Sequence, residues 1–353
     1  MMQTWTGAHR KVVAAMSAVL ICAGPSVGST QTAGRSSADY ELLTDLHLGA
    51  PNFWDYLTYD PVGQRLYAAH VDKIDVVDVK TGKSIGQVGP LKGAHGVAIV
   101  PELGKGYADS GQDGVVTVFS LADLHVLKTI KVSKDADGVI YDPESRSVLV
   151  VAGDSKNLTV ISADQDAVLR TVSLPGEPEF LAADGHGHVF INIADKASIA
   201  KVDIGSGSLM AMWPLMGCQE PAGLGYDFRS DRLFSGCANA RLIVVDAATG
   251  RNLANLPIGS HSDAVVVDAA RRRAFSANAD GTLTVIAEGE GDNYSVQRTV
   301  PTFFGGRNMA IDEKSGTLYI AHGNMKVMSS LKDLSQLRFG WDGLDVAVMK
   351  PND

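Results

Sequence analysis

Asp55, His95, Asp137, Glu179, Ala222, Asp263 and Arg307 lie 40, 42, 42, 43, 41 and 44 residues apart. Six of the seven carry carboxylate, imidazole or guanidinium groups. Those groups hold divalent ions and small polar or cationic ligands, and they can also move protons or steady developing charge. Just upstream stand Asp135, Glu177, Glu220 and His261. A lone Asp before a strand reads equally well as a turn cap. A set holding Asp, His, Glu and Arg at one repeated position does not, because capping would repeat one residue type.

The set exists because each member opens a copy of one 16-residue pattern. The copies are "DYLTYDPVGQRLYAAH" (55–70), "HGVAIVPELGKGYADS" (95–110), "DGVIYDPESRSVLVVA" (137–152), "EFLAADGHGHVFINIA" (179–194), "AGLGYDFRSDRLFSGC" (222–237), "DAVVVDAARRRAFSAN" (263–278) and "RNMAIDEKSGTLYIAH" (307–322). Each reads as two short strands joined by a polar turn, and a second hairpin such as "LIVVDAATGRNLANLPI" follows each of the first six. Four antiparallel strands per repeat of this length make one propeller blade. The fold expected is therefore all-β: a seven-bladed β-propeller over 40–353. In its seventh blade "LDVAVMKP" (344–351) is the third strand, and "YELLTDLHL" (40–48) from the N-terminus closes the ring as the fourth. Closure of this kind leaves no open edge. Residues 323–343 are then an insertion that can fold over one mouth as a lid.

In an up-and-down blade the start of strand one and the end of strand two share a face. The seven opening residues should form a ring at one mouth of the central channel, with His70, Ser110, Asn278 and His322 on the same face. His70, His95 and His322 are the candidate metal-binding imidazoles. Glycine and alanine at the second and fourth positions (Gly96, Gly138, Gly223, Ala98, Ala182) suit inner strands crowded around an axis. The Asp residues at the sixth position (Asp60, Asp142, Asp184, Asp227, Asp268, Asp312) fall on the opposite face and read as turn formers. The "HGH" run at 186–188 falls in one of those turns and is expected to be solvated.

The rest of the sequence narrows the class. Among 353 residues the formal net charge is −9, with no basic run, so duplex nucleic acid is a poor partner. "HRKVVAAMSAVLICAGPSVGS" has the basic, apolar and small-residue regions of a secretory signal, assigned to 1–29, and its apolar run is too short for a membrane anchor. Residues 30–39 would be a flexible lead-in. An exported chain left with Cys218 and Cys237 is expected to pair them, and the topology puts both on the ring face. A periplasmic or secreted monomer is the reading. No H-E-x-x-H, P-loop or C-x-x-C-H motif is present.

The repeats and hairpins such as "VVDAATGRNLANLPIG" resemble the exported YncE-like proteins of the YVTN β-propeller family, over nearly all of the chain from about Tyr40. "HGVAIVPELGKGY", "GEPEFLAADGHGHVFINI" and "CQEPAGLGYDFRSDRLFSGC" carry the closer likeness, which implies a periplasmic seven-bladed propeller. The matching residues are His95, Glu179, Glu220, Pro221, Asp263 and Arg307, with the cysteine pair. Such proteins are variously binding proteins, partners of redox enzymes, and lactone-acting or other enzymes. Three uses stay open. The ring of Asp55, His95, Asp137, Glu179, Glu220, Asp263 and Arg307 can bind a small polar or cationic ligand or a divalent metal ion. The same ring can serve a hydrolase or lactonase, with a carboxylate (Asp137 or Glu179) as base, His95 as proton carrier and Arg307 steadying negative charge. Or the propeller is a scaffold for a periplasmic protein partner.

Overall fold

The computed structural model describes residues 40–327 and 339–352. Seven four-stranded antiparallel sheets form the blades of the ring. Blade one runs outward through Leu57–Asp60, Arg65–Ala69, Ile74–Asp78 and Lys83–Val88. Blade seven closes the ring. Its order is Asn308–Asp312, Thr317–His322, Leu344–Pro351 and then Tyr40–Gly49, so the N-terminal strand is its outermost member. Fold and closure are as the repeats predict. The stretches assigned to a signal and a flexible lead-in (1–39) lie outside the described residues, as do 328–338 of the insertion. What is described of the insertion is a short antiparallel ribbon, Met325–Val327 against Phe339–Trp341.

Burial explains why the strands sit where they do. The second strand of blade three, Ser147–Ala152, is buried at every residue, because sheets pack on both its faces. The fourth strand, Ala167–Ser173, has no fully buried residue and alternates with solvent. Apolar clusters lie between neighbouring blades: Val116 and Val118 of blade two pack with Val139, Val148 and Val150 of blade three. Each such side chain contributes about 1.5–3 kcal/mol when fully buried. Gly106 stands where the other copies have Leu, Val, Phe or Ala because the Phe119 ring lies over it; a Cβ there would come within 2.1 Å of the ring.

The turn face behaves as the sixth-position Asp residues imply. Asp60 accepts the amides of Val62 and Gly63, Asp142 that of Ser145, Asp227 that of Arg229, Asp268 that of Arg271 and Asp312 that of Lys314. Asp184 accepts the amides of His186 and His188. The "HGH" expectation is met only in part: His186 is exposed, but His188 pairs with Asp184 at 2.7 Å.

On the opposite face the residue two places before each ring position takes a left-handed backbone in five blades: Gly93, Asp135, Glu220, His261 and Gly305 (φ +70, +62, +47, +53 and +83°). This residue rivets the blades together. The Asp135 amide donates to Gly111 O of blade two, and its carbonyl accepts from Gly153 of its own blade. Likewise the His261 amide donates to Ala238 O and its carbonyl accepts from Ala279. The Asp135 side chain caps the Asp154 amide at 2.9 Å. Asp135 is a fastening, one step outside the ring.

Candidate functional site

The inner strands of blades three to six each carry a bulge at the ring position, between Ala136 and Gly138, Pro178 and Leu181, Pro221 and Leu224, and Ser262 and Ala264, and in all of these but blade four it follows the left-handed residue. A bulge leaves one residue unpaired and re-aims its side chain. Here the re-aimed residues are Asp137, Glu179, Ala222 and Asp263. The backbone freed by the irregularity is held by buried side chains. Asn192 donates to the carbonyls of Ala222 and Gly223, and Asp109 accepts the amides of His95 and Gly96.

The result is one compact charged cluster. Asp55 is 2% exposed and His95 4%. His95 Nδ1 lies 2.8 Å from the Ala136 carbonyl and 3.1 Å from Asp137 Oδ1. A carbonyl only accepts, so the proton sits on Nδ1 and Nε2 is the nitrogen that can carry a lone pair. Asn308 donates from Nδ2 to Asp55 Oδ1 (3.3 Å) and Asp263 Oδ2 (3.2 Å), while Arg307 Nε pairs with Asp263 Oδ2 at 3.1 Å. Asp55 Oδ2 is buried with no hydrogen-bond partner. Asp55, His95 and Asp137 each place one ligand atom within 4.8 Å of the other two.

Five acids (Asp55, Asp109, Asp137, Glu179 and Asp263) thus crowd two cations in a desolvated space, and proton affinities respond. Burial pushes Asp55 well above the ordinary carboxylate range; His95 and Arg307 pull it back, and Asp263 and Asp137 push it further. Burial, then Asp137, Asp263 and Asp55, raise Glu179 in the same way. Asp109 is raised to about 7, mainly by burial. Burial disfavours the His95 cation, yet Asp137, Asp109 and Asp55 outweigh it and lift His95 to about 10.

The floor of the cluster is aromatic. Tyr56 and Phe180, second residues of copies one and four, meet with ring centroids 4.6 Å apart. Tyr56 donates its amide to the His95 carbonyl at 2.9 Å, and burial, then Asp263, Asp55, Asp137 and Glu179, all raise its hydroxyl. Tyr56, Phe180, Asn308 and Asp109 were not among the residues singled out by sequence. The signal was present: the first three fill a position that is Gly or Ala in the other copies, and Asp109 fills one that is otherwise Ala, Val, Ile or Gly.

The structure brings together Asp55, His95, Asp137, Glu179, Asp263 and Arg307. Glu220, at the riveting position, is exposed and stands outside the buried cluster. The three histidines considered as one metal set separate. His70 has both nitrogens engaged, Nδ1 with Asp75 Oδ2 and Nε2 with Pro51 O, each at 2.6 Å. His322 stacks on Phe303 (centroids 3.7 Å) and reaches Asp45 at 3.1 Å. The disulfide Cys218–Cys237 is formed, with Cα atoms 5.5 Å apart, and ties the incoming loop of blade five to the end of its second strand.

No family model matches the chain, and no curated protein matches it. Among solved structures it is similar to U3-55K, with a TM-score of 0.72 and 12% identity over 89% of this chain and 99% of that one. The RRP9 WD40 repeats give 0.73 and 12% over 89% and 98%. The hydrazine synthase of Kuenenia stuttgartiensis gives 0.66 and 15% over 86% and 100%. At these identities the likeness defines the class by fold alone, a seven-bladed β-propeller.

Proposed function

We propose that this chain is an exported, YncE-like propeller whose ring face binds a cation, with a divalent metal ion seated by Asp55, His95 and Asp137. The observation that carries the reading is the convergence of those three ligand atoms within 4.8 Å of one another, together with a buried Asp55 Oδ2 that has no hydrogen-bond partner. An isolated buried carboxylate is costly, and a bound cation relieves that cost. The hydrogen bond from His95 Nδ1 to a backbone carbonyl is the outer contact that ligating histidines commonly make, and it turns Nε2 to the metal. Two carboxylates and one imidazole suit Mn²⁺, Fe²⁺ or Zn²⁺. Without metal, protonated His95 supplies the positive charge, so metal entry displaces its proton. The disulfide agrees with an oxidising compartment.

The test is titration of chelator-stripped protein with Mn²⁺ and Zn²⁺ by calorimetry, beside elemental analysis of protein purified without chelator. Asp55→Asn and Asp137→Asn should each weaken binding by about 100-fold, some 2.8 kcal/mol at 1.4 kcal/mol per decade. Unchanged affinity in both variants sinks the assignment. A second reading, acid–base catalysis by the same ring, is favoured by one feature: Asp55 feels both His95 and Arg307, so a base, a proton carrier and a fixed cation border one spot. A hydrolysable lactone turned over by the wild type and not by His95→Gln would support it.

A further inference from the structure

Beyond the Tyr56–Phe180 floor the central channel opens into a cavity of about 350 Å³, within the roughly 300–1,000 Å³ of small-molecule sites. Val97, Val139 and Met309 form its wall, and its mouth lies at Asp60 and Pro101 on the turn face. Among the described residues, no Lys, Arg, His or Glu lines it. The one carboxylate among these lining residues, Asp60, accepts the Val62 and Gly63 amides through Oδ1. An anionic guest would find no counter-ion there and a cationic one only Asp60 at the mouth, while water among apolar side chains finds few partners. Some polar contact is available, because the innermost strand of each blade has an unpaired edge whose backbone groups face the axis. One of these is already answered: the Thr58 hydroxyl donates to Val97 O at 2.8 Å.

We propose that this cavity is a second ligand site, entered from the turn face, for a small, neutral, largely apolar molecule carrying one hydroxyl or carbonyl group. The site does not depend on the cation reading, since Tyr56 and Phe180 stand between the two. Tyr56 nevertheless belongs to both: it lines the cavity, while its amide donates to the His95 carbonyl of the ring.

The probe is p-cresol, an apolar ring with one hydroxyl, followed through the methyl resonance of Met309 in methyl-labelled protein and assigned with Met309→Leu. A saturable shift is expected, with Kd on the order of 1 mM or tighter. Ala98→Phe and Ala310→Phe, which fill the cavity from its wall, should weaken it at least tenfold while leaving the Mn²⁺ titration as in the wild type. Benzylamine, similar in size but cationic, should leave the Met309 methyl unmoved. Should the filled variants fail to fold, nuclear Overhauser contacts from p-cresol to the methyls of Val97, Val139 and Met309 in the wild type decide the matter. No saturable shift, no such contacts, or benzylamine bound there as tightly as p-cresol would overturn the proposal.

Discussion

The two faces of the propeller use the same side chain in opposite ways. On the turn face each repeated Asp meets backbone donors, and Asp184 shows the consequence. Burial acts to raise its proton affinity, but the amides of His186 and His188 and the His188 ring win, and it ends below the ordinary carboxylate range. On the ring face Asp55 and Glu179 are buried among other acids and end well above that range. Position in the repeat decides which. A carboxylate at a tight turn finds several N–H groups pointing at it, whereas one re-aimed toward the axis by a bulge finds mostly its symmetry mates. The lesson is that an Asp recurring at one position satisfies the backbone, while charge types varying at one position face one another in a buried cluster.

Three substitutions would break or sharpen that contrast. The largest effect belongs to the covalent tie on the ring face. Removing the disulfide in Cys218→Ser/Cys237→Ser, which spans 19 residues, should cost about 3 kcal/mol, read as a lower urea midpoint. Blade five is the one blade with an uncharged ring residue, Ala222, so metal affinity should change far less than stability. Next comes Asp184→Ala on the turn face. It leaves two amides without their acceptor and should destabilise by about 1–2 kcal/mol at neutral pH. Asp55→Asn should do the reverse in chelator-stripped protein. The amide oxygen can still accept from Asn308 while the crowded charge is gone, so a gain on the order of 1 kcal/mol at pH 8 is expected. Destabilisation of equal size in both variants would erase the distinction between the faces.

Much of this was legible before any coordinates. Seven gap-free copies fixed the blades, "YELLTDLHL" matched the other outer strands, and the varied first position marked the ring. What was hidden belongs to the third dimension. Whether Glu220 or Asp263 turned inward depended on a left-handed residue followed by a bulge, and Glu, Asp and His at those positions do not announce φ > 0 as glycine does. The separation of His70 from His95 was equally invisible: His70 is consumed by Asp75, five residues on, and by a carbonyl of the chain leading into the ring. Tyr56 and Phe180 could have been found by asking which copies break the small-residue rule, since two large rings must fill what the glycines vacate.

The smallest effect is also the most diagnostic of the buried cluster, and it concerns pH. Asp109 is raised from 3.8 to about 7, chiefly by burial. The folded protein therefore keeps a proton there that the unfolded chain has lost, and this contribution to stability, full below pH 3.8, disappears as pH rises through about 7. His95 is raised from 6.5 to about 10 because Asp137, Asp109 and Asp55 outweigh its desolvation, so its contribution is full below 6.5 and disappears as pH rises through about 10. Both slopes have the same sign: metal-free stability should fall steadily from acid to alkaline conditions. Asp109→Asn should flatten the lower branch and, by removing one of the acids that hold the His95 proton, draw the upper branch toward neutrality. Urea midpoints of wild type and variant across pH 4–10, with the His95 ring followed by NMR, would show this. A difference between the two proteins that does not vary with pH would mean that Asp109 acts only as an acceptor for the His95 and Gly96 amides and is not part of the charged cluster.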